Sequence, residues 1–161
     1  LLQHAVGGPG SGGGVPDDQR QQRRLGQHRP RLAPAHRSRV EYAARADENW
    51  IYSGSSTLAD VAWCNGPADP YVGTDVGSLA PNAWGFYDMS GNVSEWVWDI
   101  YEAYPTAEVT DPTGAAFGSE RVARGGNYAQ NAPDCRVANR TSSLPWSTYW
   151  NRGFRIARTL P

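Results

Sequence analysis

The sequence predicts a turn-rich mixed fold of short strands, one or two helices and long loops pinned by tryptophan and tyrosine. Three observations carry that expectation. Gly (18) and Pro (12) are abundant in 161 residues, which argues against a helical bundle. The aromatic set is weighted to Trp (7) and Tyr (8) over Phe (3). One stretch, Val93–Ile100, has a clear period of two: Val93, Glu95, Val97 and Asp99 share one face, and Ser94, Trp96, Trp98 and Ile100 form a mostly aromatic other.

The remaining elements follow from local signals. Glu41–Asp47 (EYAARAD) reads as the end of a short helix. Residues 49–82 read as loop, broken by Gly54, Gly66, Pro67, Pro70, Gly73, Gly77 and Pro81. Trp84–Met89 is a short aromatic strand or turn, and Ser90-Gly91-Asn92 reverses the chain into the alternating strand. Tyr101–Gly118 is a Pro-containing loop. Arg121–Ala123 is a strand entering Gly125-Gly126, Arg136–Arg140 a second strand or short helix, and Gly153–Thr159 a closing strand.

Composition excludes several classes. With a mean hydropathy of −0.61 and no apolar run near the ~20 residues of a bilayer span, no transmembrane helix is expected. Two cysteines, Cys64 and Cys135, make neither a disulfide framework nor a zinc pattern. The chain does not begin with Met, so it reads as a fragment or a processed product, and no signal peptide pattern identifies a compartment. There is no lysine; all 15 basic residues are Arg.

A compositional break falls near residue 40. Residues 1–40 lack Phe, Trp and Tyr and carry seven Arg against Asp17 and Asp18; every aromatic and fourteen of the 16 acids follow. Such a segment cannot bury enough apolar surface to offset chain entropy, so residues 1–40 are expected to be disordered or not genuine coding sequence. Its arginines suit phosphate contacts, yet no aromatic is interleaved for base stacking, so no nucleic-acid partner is expected.

The blocks PNAWGFYDMSGNVSEWVWD (81–99), RVARGGNY (121–128), CRVANR (135–140) and GFRIAR (153–158) resemble, in order and spacing, the sulfatase-modifying-factor family, which includes the formylglycine-generating enzymes. The resemblance covers about residues 41–161. It implies an α+β fold of C-type lectin-like type, with short twisted antiparallel strands, few helices and many ordered loops. The family text before EYAARA is RLPTEAEW, where this chain has RLAPAHRSRV. The nucleotide string CCTGCCCACCGAAGCCGAGTGG gives PAHRSRV in one frame and LPTEAEW in the next, so residues 1–40 are expected to be translated out of frame.

The resemblance also implies sites. A structural calcium ion is expected on Asp88, Gly91, Val93 and Glu95, because a hard cation needs several oxygens and a tight turn gathers carboxylates and carbonyls over few residues. Copper(I) in the formylglycine-generating enzymes is held by two cysteines five residues apart after the GG-x-Y turn. Here Cys135 falls on the second position and Gln130 on the first; an amide is a poor copper(I) ligand, so copper is not expected and Cys135 reads as a buried small hydrophobe. The three histidines, His4, His28 and His36, all precede residue 41, which leaves no histidine chemistry in the family region. Arg124, Arg136, Arg140 and Arg155 read as structural partners of carboxylates and Trp faces.

A different composition marks 127–131 with 141–151, rich in Asn, Ser, Thr, Tyr and Trp, as adaptable binding surfaces are. Tyr128, Gln130, Asn131, Trp146, Tyr149, Trp150 and Asn151 are the expected binding face, for a protein or small ligand. Three functions compete: a non-catalytic binding module, a copper-dependent formylglycine-generating oxidase with Cys135 as its catalytic residue, and a remnant with no function of its own; in lectin-like relatives such loops can also be diversified by retroelements. Sequencing the gene checks the frame: codons 34–40 are expected to give LPTEAEW in a neighbouring frame, and any other translation ends that explanation.

Overall fold

In the computed structural model, residues 32–66, 75–110, 112 and 114–158 are described. Their elements run β1 (Leu32–Pro34), α1 (Arg37–Arg45), α2 (Leu58–Val61), β2 (Ser94–Ile100), β3 (Arg121–Arg124), a 3-10 turn (Ala132–Cys135), β4 (Arg140–Ser143), β5 (Arg152–Phe154) and β6 (Ile156–Arg158). Four strands form one sheet in the order β4-β3-β2-β5, and β1 pairs with β6 in a separate ribbon. The fold is α+β, with much of the chain in loops between short elements.

Three expectations change. First, residues 32–40 belong to the folded unit: β1 is antiparallel to β6, with Ala33 opposite Ala157, and α1 begins at Arg37. The partners that order this stretch lie more than sixty residues away, so its own composition does not announce them; residues 1–31, with His4 and His28, lie outside the described residues. Second, β5 runs parallel to β2, with Glu95 opposite Gly153, so the sheet is mixed rather than antiparallel. Third, in place of the expected strand or helix at Arg136–Arg140, residues 136–139 form a turn between the 3-10 turn, which ends at Cys135, and β4, which starts at Arg140. Trp84–Met89 is a turn without strand.

The alternation of β2 holds over Val97–Asp99 with its aromatic face outward, whereas Ser94, on the face of Trp96 and Trp98, is buried. Val97 and Asp99 are buried, whereas Trp98 is exposed. Arginines cover the outer rings: Arg152 lies 4.6 Å from the Trp96 ring centre, and Arg121 lies 5.1 Å from that of Trp98. An indole roofed by a guanidinium keeps apolar contact on its face without leaving the surface.

A fully buried carboxylate on the inner face docks α1. Asp99 accepts the Arg37 backbone N–H (2.8 Å) and lies 3.2 Å from His36 Nδ1 and 3.7 Å from Arg37 Nε. His36, at the N-cap, makes no side-chain cap of its own. Asp99 therefore supplies from β2 the acceptor that a Ser or Thr cap would supply locally, at the positive end of the helix. Arg37 is itself 3 % exposed and reaches Glu102 at 3.3 Å. At the far side of α1, Glu41 bonds Arg124 at 2.6 Å, and Arg124 also donates to the Val137 and Asn139 carbonyls. Two small apolar clusters complete the interior: Tyr52, Val61, Ala62 and Cys135, and Ala44, Met89 and Val137.

Asp99→Ala is expected to destabilise the protein by about 3–5 kcal/mol, because it strands the buried Arg37 charge and uncaps α1. Chemical denaturation of the two proteins measures it.

Candidate functional site

Three loops knot together at the end of the sheet, and their meeting is controlled by glycine. Gly91 (φ +77°) donates its N–H to the Gly125 carbonyl, and a Cβ there would overlap the Trp63 carbonyl. Asn92 in turn donates to that Trp63 carbonyl, and Tyr128 donates to the Asn92 carbonyl. Gly126 (φ +68°) has the same role on the other side: a Cβ would lie 2.8 Å from Cys135 Sγ and 2.7 Å from the Asp134 carbonyl. Only glycine lets the 3-10 turn approach this closely.

That approach brings the two cysteines together. Cys64 and Cys135 form a disulfide across 71 residues of sequence, with Cα atoms 6.7 Å apart. Cys135 is completely buried, as expected, but it is a bonded half-cystine rather than a lone small hydrophobe. The sequence separation concealed the pairing, because only the tertiary knot makes 64 and 135 neighbours. The same strip is zipped by Asn65 N–H to the Gln130 carbonyl (2.9 Å) and Gly66 N–H to the Tyr128 carbonyl (2.7 Å).

Beside the disulfide sits an amide cluster. Asn127, 4 % exposed, donates from Nδ2 to Gln130 Oε1 (2.9 Å), while its Oδ1 accepts from the Ala129 N–H and from Asn151 Nδ2 (3.2 Å). The structure thus joins Gln130 and Asn151 through Asn127, which sequence reasoning placed only at the margin of the face. Above this floor, Tyr149 and Trp150 are about half exposed and Trp146 is 72 % exposed. Asn131 is exposed too. Tyr128 departs from expectation: it is buried at 5 %, its ring 5.6 Å from that of Trp150, and so it supports the face rather than forming it. Thr141–Ser143, expected in the binding loop, instead lie in β4 against β3.

Arg152, absent from the expected face, lies at its centre. Its guanidinium is 4.6 Å from the ring centres of both Trp96 and Tyr149, and its Nε donates to Ser94 Oγ at 3.2 Å. Burial lowers its pKa from the ordinary arginine value, and the charge interaction with Tyr149 opposes that shift. No local sequence signal announced this stack, because Trp96 and Tyr149 reach Arg152 from different elements.

The expected calcium residues are partly gathered. Asp88, Val93 and Glu95 line one cavity of about 90 Å3, while Gly91 is engaged in the loop knot. Asp88 accepts the Gly77 N–H at 2.8 Å. Both Glu95 oxygens are held by Arg155, at 3.0 Å from Nε and 2.9 Å from Nη2, so a guanidinium supplies the positive charge facing this carboxylate. The donors are hard oxygens of the kind calcium takes, and a bound ion would have to replace Arg155 at Glu95. Arg140, by contrast, lies over the Tyr101 and Tyr104 rings rather than over a Trp face. No cluster of three or more His, Cys, Asp or Glu that could hold a metal occurs among the described residues.

With this geometry in view, comparison with known proteins is decisive at the level of family. The family model for the sulfatase-modifying factor enzyme 1-like domain matches residues 35–160. The chain belongs to this family. A formylglycine-generating enzyme of Thermomonospora curvata is 38 % identical over 99 residues, which is 55 % of this chain and 32 % of that protein. Among solved structures, Treponema denticola variable protein 1 superposes with a TM-score of 0.71 at 33 % identity, covering 78 % of this chain and 46 % of its own. PvdO from Pseudomonas aeruginosa gives 0.68 at 28 % identity, covering 88 % and 57 %. The sulfatase-modifying-factor domain thus has the C-type lectin-like α+β fold that the motifs implied, and this chain spans about a third to a half of the length of these relatives.

Replacing both cysteines, Cys64→Ala with Cys135→Ala, is expected to cost about 3–5 kcal/mol, since the bond closes a long loop. Gly126→Ala is expected to cost at least about 2 kcal/mol through the left-handed backbone and the collision with Cys135. Thermal melts of each variant beside the parent protein measure both.

Proposed function

We infer that this sulfatase-modifying-factor domain is a non-catalytic binding module whose contact surface is the aromatic face of Trp146, Tyr149 and Trp150 over the Asn127–Gln130–Asn151 amide floor. One observation carries the reading: Gln130 stands where the first copper cysteine belongs, and Cys135, at the second position, is bonded to Cys64. A bonded half-cystine offers no thiolate, and a Gln amide does not replace one, so bis-thiolate copper(I) ligation has no ligand pair at this place. Exposed rigid rings beside small polar groups are the composition of surfaces that bind other molecules.

A second reading is supported by the similarity to Treponema denticola variable protein 1: the rim of this face would differ between copies of the gene, as in a retroelement-diversified binding protein. Structural calcium is part of the proposal in either case, with Asp88, Val93 and Glu95 as its donors after Arg155 withdraws from Glu95.

Oxygen consumption with a Cys-x-Pro-x-Arg peptide and added copper(I) separates binding from catalysis. No turnover above the peptide-free control is expected; sustained oxygen uptake with formylglycine formation would establish the oxidase instead. Added Ca2+ is expected to raise the melting temperature, by mass action on the folded state, and Glu95→Gln to remove the increase. A melting temperature unchanged by Ca2+ and by chelator ends the calcium assignment.

A further inference from the structure

A cavity of about 350 Å3 opens between the segment that follows α1 and the turn that follows Cys135, and it shares no wall residue with the aromatic face or the Asp88–Glu95 cavity. Asn49, Trp50 and Ile51 line one side, and Arg136, Val137 and Asn139 the other. Both sides are held in place by backbone contacts. The Val137 N–H donates to the Ile51 carbonyl (3.0 Å), Arg124 donates to the Val137 and Asn139 carbonyls, and Asn139 Nδ2 donates to the Asp134 carbonyl (2.8 Å). The walls thus stand ready without a guest, which lowers the ordering cost of binding one. Arg136 is exposed, and its hydrogen bonding is confined to Nε, which donates to the Pro133 carbonyl at 2.9 Å. Among the described residues no carboxylate pairs with it, so both of its Nη groups are unused. Arg45, also on the wall, is already matched by Glu41 at 2.9 Å, and no Asp or Glu lines the cavity. Opposite, Trp50 and Ile51 are about half exposed, and the Trp50 indole stacks on no ring or guanidinium among the described residues. The cavity therefore combines one unmatched guanidinium with an open aromatic and aliphatic wall.

We propose that this cavity binds a planar aromatic acid, its ring system against Trp50 and Ile51 and its carboxylate on the Arg136 guanidinium. A guanidinium with both Nη groups unused suits a carboxylate by charge and by planar donor geometry. An indole face offers a flat ring a stacking surface that a saturated ring cannot use as well. The volume falls at the lower end of the range of about 300–1,000 Å3 for small-molecule sites, which sets the guest at about one or two rings.

The probe is 2-naphthoate. In 1H–15N NMR of the whole chain, with the Trp50 indole N–H assigned by its loss in Trp50→Phe, 2-naphthoate is expected to shift that resonance saturably. Neutral 2-naphthylmethanol and saturated cyclohexanecarboxylate are expected to bind there more weakly, the first lacking the charge and the second the flat ring. Arg136→Gln changes an exposed side chain with one hydrogen bond, so the variant is expected to melt with the parent protein and to bind 2-naphthoate about tenfold more weakly. A Trp50 resonance indifferent to 2-naphthoate overturns the proposal. So does an equal affinity for 2-naphthylmethanol, or undiminished 2-naphthoate binding by Arg136→Gln.

Discussion

The carboxylate of Asp99 lies wholly out of water in the longest strand, and the placement of the start of α1 depends on how its charge is met. An isolated carboxylate at such a site is prohibitively costly. Here it is met by the first free N–H of α1, by His36 and by Arg37, so a single residue of β2 specifies where the helix starts and how it sits on the sheet. Arg37 passes the charge on to Glu102 at the strand's exit. Gly114 belongs to the same arrangement, because a Cβ there would lie 2.9 Å from the Asp99 Cβ. Helix, strand and following loop thus meet at one buried charge, bonded from the start of the helix and approached closely by Gly114.

The rest of the molecule repeats that economy. Its strands are three to seven residues long, too short to be held by their ladders alone, and the apolar clusters contain only a few residues each. Long-range pins make up the difference: Arg124 joins β3 to α1 and to the 137–139 turn, Arg155 joins the closing strands to β2 through Glu95, and the disulfide joins the 64–66 strip to the 3-10 turn. Arginine serves these positions because its planar fork bonds carboxylates and carbonyls at once while its faces stack on rings. A chain whose basic residues are all arginine is well supplied for this. Members of a family share a fold, and the chemistry of any one of them is decided by a few side chains on the loops that the fold holds.

Much of this was legible in the sequence. The motif blocks identify family and fold together, and the alternation of 93–100 locates the central strand because a period of two is a local property. The GG turn and the SGN reversal were also visible, as glycine marks positions where backbones approach. The proposed face was legible in part: composition pointed to Trp146, Tyr149 and Trp150, and their exposure is a property of the folded chain, whereas Tyr128 is drawn inward by its place behind Trp150 and Arg152 enters because two rings from different elements flank it. The order of residues 32–40 was not legible, since an aromatic-free, arginine-bearing stretch reads as unfoldable until Asp99 and β6 are placed beside it.

The sequence by itself determined the family, the sheet-forming core stretch, the turns and the absence of a cysteine at Gln130, all of which depend on residue identity and short-range spacing. Tertiary structure alone decided that Cys64 meets Cys135, that Arg155 rather than solvent faces Glu95, and that β5 runs parallel to β2. Each of these joins residues tens of positions apart, and contacts at that range are set by how loops close over one another, a property that no local window of sequence contains.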